Sequence, residues 1–211
     1  DGRLPTAEAY GAPQPTMYSR AAWGADESLR KGSPQYGVVD GGFVHHTVSA
    51  TNYTEAQVPA MIRSIYAYHV NGRGWNDIGY NFLVDRFGRV WEGRYGGVGR
   101  AVIGAHTRGY NDDAFAMSAI GTYTSATPPS AMITAYQRLF AWKFTAHGVD
   151  PRYPAYYDGD RFNPVSGHRD AAATACPGDA LYARLPTIRS GIVDRMALEP
   201  SRDINRDIGP D

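Results

Sequence analysis

Apolar and polar positions alternate along this chain in ways that mark its elements. Residues 38–48, VVDGGFVHHTV, form a largely apolar run interrupted by Gly41 and Gly42 and read as a buried strand. Thr54 with Gln57 three positions on is a capping-box pattern. Val58, Met61, Ile62, Ile65, Tyr66 and His69 then recur on one helical face, and Asn71-Gly72 ends that helix. Residues 79–85 and 89–93, joined by Arg86-Phe87-Gly88, read as a β-hairpin. A glycine-rich loop over 94–113 follows; ordered loops of that length are often functional. Residues 114–122 predict another strand. Ser130 is expected to cap a helix reaching His147, with Ile133, Tyr136, Phe140 and Phe144 on one face and Gly148 as its stop. Beyond a Pro/Tyr-rich loop at 150–164 come a short strand at 165–168, a short helix from Asp179, and a helix from Pro186 to about Ala197.

The order β–α–β–β–loop–β–α–β–α predicts an α/β fold, a central mixed β-sheet flanked by helices. The length suits a single domain. Residues 1–17, aperiodic with three prolines, read as an N-terminal arm or linker. Residues 18–198 read as the domain and 199–211 as a polar C-terminal tail. Trp23-Gly24 suggests a segment packed onto the domain, and 26–37 a polar loop.

Composition narrows the partners. With 43% hydrophobic and 20% charged residues the chain is ordinary for a globular domain. Its 21 basic and 21 acidic residues cancel, so there is no overall electrostatic case for nucleic acid. No apolar run approaches transmembrane length, so membrane insertion is not expected. A monomer is expected.

The single cysteine, Cys176, excludes an intrachain disulfide. It precedes Pro177-Gly178 and so lies in a turn, which weakens its reading as a small buried apolar residue. His168 stands eight positions earlier, and His45 and His46 are adjacent far upstream. One upstream histidine with His168 and Cys176 would make a three-ligand zinc site, the number that catalytic zinc uses. Thiolate and imidazole suit zinc better than magnesium or calcium. A thiol nucleophile with a histidine base would use the same residues, but zinc accounts for two histidines at once. Strand alternation lets only one of His45 and His46 face the site, and spacing does not choose between them. Asp170 either orders its loop or a ligand imidazole, or pairs with Arg169 at the surface. His69 on its apolar face reads as a helix histidine with a local partner. Taken singly, Tyr80 and His106 read as packing residues.

Five segments then act together: SRAAWGA within 18–25, FVHHT at 43–47, RGWNDIGYNFLVDRFGRVWEGR at 73–94, GAHTRGYN at 104–111 and GHRDAAATACPG at 167–178. In this order, over roughly residues 18–197, the chain resembles the peptidoglycan recognition proteins, equivalently the type-2 N-acetylmuramoyl-L-alanine amidases, which include phage lysozymes of the T7 type. The resemblance implies a groove over Zn2+ held by His45, His168 and Cys176, with His46 beside the substrate and off the metal. It implies hydrolysis of the amide between the lactyl group of N-acetylmuramic acid and L-alanine of the stem peptide. Tyr80 and Thr174 take the catalytic positions: Tyr80 to stabilise the oxyanion, Thr174, where phage enzymes carry a lysine, as a candidate proton donor. His106 and Asn111 line the groove. Gly74, Trp75 and Arg94 match the residues that read the extra carboxylate of diaminopimelate, a task suited to the arginine fork. Peptidoglycan and muropeptides are the implied partners, and a secreted or cell-wall-associated location follows. The alternative is a binding module with weak or no catalysis, the state of members that lack the cysteine. A zinc endopeptidase would want an HExxH helix, which the chain lacks. A structural zinc clip would want a fourth protein ligand, and none is evident.

Overall fold

The computed structural model describes residues 11–197. In chain order the elements are β1 (Met17–Tyr18), α1 (Arg20–Trp23), β2 (Gly41–His46), α2 (Val58–Ala67), β3 (Phe82–Val84), β4 (Val90–Glu92), β5 (Ala114–Ala119), α3 (Ser130–His147), β6 (Ala155–Tyr157), β7 (Asp160–Phe162), β8 (Val165–Gly167), α4 (Asp179–Tyr182) and α5 (Leu185–Arg195). Six strands form one sheet in the order β1-β4-β3-β5-β2-β8, and β6-β7 form a separate hairpin. Only β3 and β4 pair antiparallel in the main sheet, so it is mixed, as expected.

Alternation along the strands assigns the two faces. Val44, Phe82, Val84, Phe115 and Met117 pack with α3 and α5. Leu83 and Trp91, turned the other way, pack with Trp23, Val58, Ile62 and Tyr66 of α1 and α2. On that second face, beyond α2, Phe43 meets Tyr157 and Phe162 of the hairpin. Helix α3 is buried on much of its circumference. Truncating a core side chain such as Phe140, fully buried here, typically costs about 3–5 kcal/mol.

Several expectations shift. The arm was expected to reach residue 17, but its described part packs on the domain: Met17 pairs with Val90, and the N–H of Ala12 donates to Thr145 Oγ1 at 3.0 Å. Residues 1–10 and the expected tail at 199–211 lie outside the described residues. Pro129, not Ser130, is the N-cap of α3; its carbonyl accepts the N–H groups of Met132 and Ile133. The loop expected at 150–164 contains the β6–β7 hairpin. Helix α2 is led by a 3-10 turn at Glu55–Gln57 and followed by a π turn at Tyr68–Gly72. Among the described residues no helix is long and apolar enough to cross a membrane.

Candidate active site

Strands β2 and β8 run parallel, with Val44 opposite Gly167. His45 and His46 close β2, and His168 is the residue after β8. The histidines therefore meet at the carboxyl ends of parallel strands, where α/β sheets gather ligands. The ring centroids of His45 and His168 are 4.6 Å apart. The turn after β8 brings Cys176 back: Arg169 N–H donates to the Cys176 carbonyl at 3.0 Å, and the Arg169 guanidinium bonds the Ala175 carbonyl. Asp170 orders this turn, accepting the Gly167 N–H at 2.8 Å and the Tyr182 hydroxyl at 2.6 Å. Arg169 pairs with Asp179 instead.

One donor atom from each of His45, His168 and Cys176 lies within 4.8 Å of the other two. Cys176 Sγ sits 3.5 Å from His45 Nδ1, while His45 Nε2 lies 3.2 Å from Thr107 Oγ1. Thr107 thus engages one ring nitrogen and orients the other toward the cluster, the arrangement by which outer partners fix a metal-binding imidazole. His46 faces elsewhere: its Nδ1 accepts the Tyr123 N–H at 3.1 Å. Its own backbone N–H donates to Cys176 Sγ at 3.4 Å.

The electrostatics suit a cation. Burial first, then neighbouring histidines, holds His45 well below the ordinary imidazole range; burial also lowers His168. Both therefore keep free lone pairs at neutral pH. Burial raises the Cys176 thiol to about 11, a shift that a coordinated cation would reverse. Two imidazoles and one sulfur, with no carboxylate in the cluster and space above it, fit zinc with an open position.

The cluster opens into a cavity of about 590 Å³, lined by His45, His46, Trp75, Tyr80, His106, Asn111, His168 and Cys176 among others. Tyr80 has its ring 5.5 Å from His45, and burial raises its hydroxyl to about 12, so it stays protonated. His106 is pushed down to about 3 by burial, and its buried Nε2 has no hydrogen-bond partner among the described residues. Asn111 Oδ1 accepts the N–H groups of His106 and Thr107, both at 2.9 Å, and so shapes this loop. Val48 stands on the rim at φ +54°, an unusual conformation for a β-branched residue.

Three expected site residues lie outside this lining. Thr174 is exposed, and its hydroxyl accepts the Cys176 N–H at 3.2 Å. Gly74 adopts φ +72°, with nothing within 4 Å of the position a Cβ would take. Arg94 lines a neighbouring cavity, and its Nη1 donates to the Ile78 carbonyl at 3.3 Å. Conversely, His69 and Thr107 were not expected here. His69 lines the cavity, lies tilted against Trp75 with ring centroids 4.6 Å apart and accepts the Gly79 N–H on Nδ1 at 3.0 Å; burial lowers it to about 4. Its place at the end of the apolar helix face was the available signal. For Thr107 the only signal was its presence in GAHTRGYN.

A family model described as N-acetylmuramoyl-L-alanine amidase matches residues 35–179. A human N-acetylmuramoyl-L-alanine amidase is 36% identical over 178 residues, 82% of this chain; the chain spans only 28% of that protein's length. Peptidoglycan-recognition protein SC2 of Drosophila simulans is 32% identical over 82% of this chain and 85% of its own. Among solved structures, peptidoglycan recognition protein-LE in complex with tracheal cytotoxin, a monomeric diaminopimelic acid-type peptidoglycan, is similar with a TM-score of 0.68 and 27% identity. That match covers 81% of this chain and 92% of the other.

Proposed function

Because the chain belongs to the N-acetylmuramoyl-L-alanine amidase family that includes the peptidoglycan recognition proteins, we propose that it is a zinc-dependent amidase. It cuts the bond between the lactyl group of N-acetylmuramic acid and L-alanine in peptidoglycan, outside the cell or in the wall where that polymer lies. The observation that carries this reading is the cluster of His45, His168 and Cys176 at the cavity floor. Members without the cysteine would bind and not cut; this chain has it.

His45, His168 and Cys176 hold the metal, and Thr107 keeps the His45 ring in register through its Nε2. When bound, zinc supplies Lewis acidity and activates water for attack on a carbonyl at neutral pH. Tyr80, kept protonated by burial, donates its hydroxyl to the developing oxyanion, a contact worth about 3 kcal/mol. His106, held neutral by burial, lines the cavity and packs beside the muropeptide. Thr174 acts on Cys176 through the backbone N–H that its hydroxyl accepts, so protonation of the leaving amine falls to water in the open cavity. Trp75 walls the peptide path. Arg94 takes the extra carboxylate of a diaminopimelate residue, because burial strips water from its guanidinium and, among the described residues, its hydrogen-bonded partner is the Ile78 carbonyl. The relative solved with a diaminopimelic acid-type fragment supports that preference.

The test is incubation with a defined muropeptide, with and without a chelator, followed by mass spectrometry. Free stem peptide should appear in the zinc-loaded sample and vanish with chelation. Tight binding without release in the zinc-loaded sample would make the chain a recognition module.

A further inference from the structure

Beside the first cavity lies a second of about 420 Å³. The chain runs from one to the other twice: Trp75 lines the first and Asn76 the second, and Ala105 and Gly104 divide likewise. An extended peptide spans at most about 3.3–3.6 Å per residue. The fourth residue of a stem peptide can therefore reach up to about 14 Å from the scissile amide, far enough to want a seat of its own.

The second cavity differs sharply in charge. Arg30, Lys31 and Arg94 all line it. Its one lining carboxylate, Asp77, is fully engaged: it accepts Arg20 Nη1 at 3.1 Å, the Ile78 N–H at 2.7 Å and the Tyr95 N–H at 2.9 Å. Among the described residues no carboxylate lies within ion-pair distance of Lys31 or Arg94. Arg30 is held in place, its guanidinium 4.0 Å from the Tyr95 ring centre and its Nη1 donating to the Gly32 carbonyl at 2.9 Å. Its acidic neighbour, Glu27 at 3.3 Å, is shared with Arg20 at 2.7 Å, so the charge of Arg30 is only partly met. A concave site with surplus cations draws an anion, and a planar guanidinium beside an ammonium matches a carboxylate. With Arg94 committed to the third residue of the stem, Arg30 and Lys31 remain.

We propose that Arg30 and Lys31 seat the chain-terminal carboxylate of the stem peptide. The enzyme then selects stems whose end is free over stems joined in a cross-link, where that carboxylate has become an amide. This rests on the amidase reading above and adds a specificity to it.

Two soluble muropeptides that differ only in a free-acid or amidated terminus test it. Each is titrated by calorimetry and assayed for release of stem peptide. The wild type should favour the free acid about tenfold to a hundredfold in both Kd and kcat/KM, the range of a charge-assisted contact. The ratio should fall toward one in the Arg30→Gln/Lys31→Gln variant. It should fall part of the way in Lys31→Gln, whose exposed position keeps folding out of the comparison. Equal wild-type affinity for acid and amide overturns the proposal, as does a preference that survives in the double variant. Preferential binding without cleavage would sink the amidase reading and leave this one standing; equal cleavage and binding of both ligands would do the reverse.

Discussion

The two cavities share a wall and little else. The first is built around the ends of β2 and β8, where His45 lies in one strand, His168 follows the other and the turn after β8 returns Cys176, and burial holds its imidazoles neutral. The second is walled largely by loops, at residues 30–35, 76–77, 94–95 and 103–104, and it carries surplus positive charge. The physics of the two tasks explains the division. A metal cluster tolerates errors of only about 0.2 Å in ligand position, which paired strands can supply. A Coulomb attraction falls slowly with distance, so a long side chain on a loop can still recognise a charged group. On the proposed reading, the metal ligands are anchored at strand ends and the turn that joins them, and the charged recognition groups stand on loops.

Breaking the first cavity should have the largest effect. Cys176→Ala is expected to lose bound zinc and all measurable turnover, read by elemental analysis and stem-peptide release. Equal zinc in wild type and variant would show that the ligand set is wrong.

In the second cavity the effect should fall on selection. The wild type should prefer diaminopimelate over lysine muropeptides by about tenfold to a hundredfold in kcat/KM, as expected for one charge-assisted contact. Arg94→Ala should bring that ratio toward one. A wild type that cuts both substrates equally well would remove Arg94 from the recognition of the third residue.

Tyr80→Phe returns to the first cavity with a gentler change. Loss of one hydroxyl should lower turnover tenfold or more, on the order of 1.4 kcal/mol, with zinc content unchanged. Unaltered turnover would leave Tyr80 as a packing residue.

Stability, not turnover, is at stake in the loop that carries Arg94 onward. Lys143 Nζ, at the inner side of α3, donates to the carbonyls of Val98 and Arg100, at 3.2 and 3.0 Å. Burial pushes this lysine down to about 8 from an ordinary 10.5. Below pH 8 it is charged in both folded and unfolded chains, and the burial penalty is full. Between about pH 8 and 10.5 the folded chain has shed the proton that the unfolded chain keeps, so this group favours folding increasingly as pH rises. The span is up to about 3 kcal/mol. Urea denaturation of wild type and Lys143→Met across pH 7.5–10 should show the flatter dependence in the variant; parallel curves would mean that Lys143 is not depressed.

How much of this could be read from the residues varies by element. The 3.6-residue period of Ile133, Tyr136, Phe140 and Phe144 located α3 closely, because a long buried helix leaves a strong pattern. The short strands were expected too long: the run at 38–48 pairs only over Gly41–His46. Backbone bonds from Val38, Asp40 and Thr47 to the carbonyls of Asp112, Asp113 and Ala119 continue beyond the strand ends, so hydrophobic pattern follows the neighbouring chain further than the regular ladder does. The β6–β7 hairpin was missed because it lies in a Pro/Tyr-rich stretch and its second strand carries the exposed, polar Asp160 and Arg161, so the segment reads as loop.

By itself the sequence determined the α/β class, the mixed sheet, the family, and the small set of residues from which a zinc site could be drawn. The class, the sheet and the candidate ligands follow from local periodicity and side-chain chemistry, and the family from the resemblance of five segments in order. Spacing left open which imidazole meets Cys176, the resemblance implied His45, and the tertiary structure supplies the physical reason. His45 and His46 are adjacent, and only the pairing of β2 with β8 turns one to His168 and leaves the other bonded to the Tyr123 N–H. It also decided that Arg94, Arg30 and Lys31 share a cavity, although more than sixty positions separate the first from the other two. Contacts between residues so far apart in the chain leave no periodic trace in it; they exist only once the sheet and its loops have closed around them.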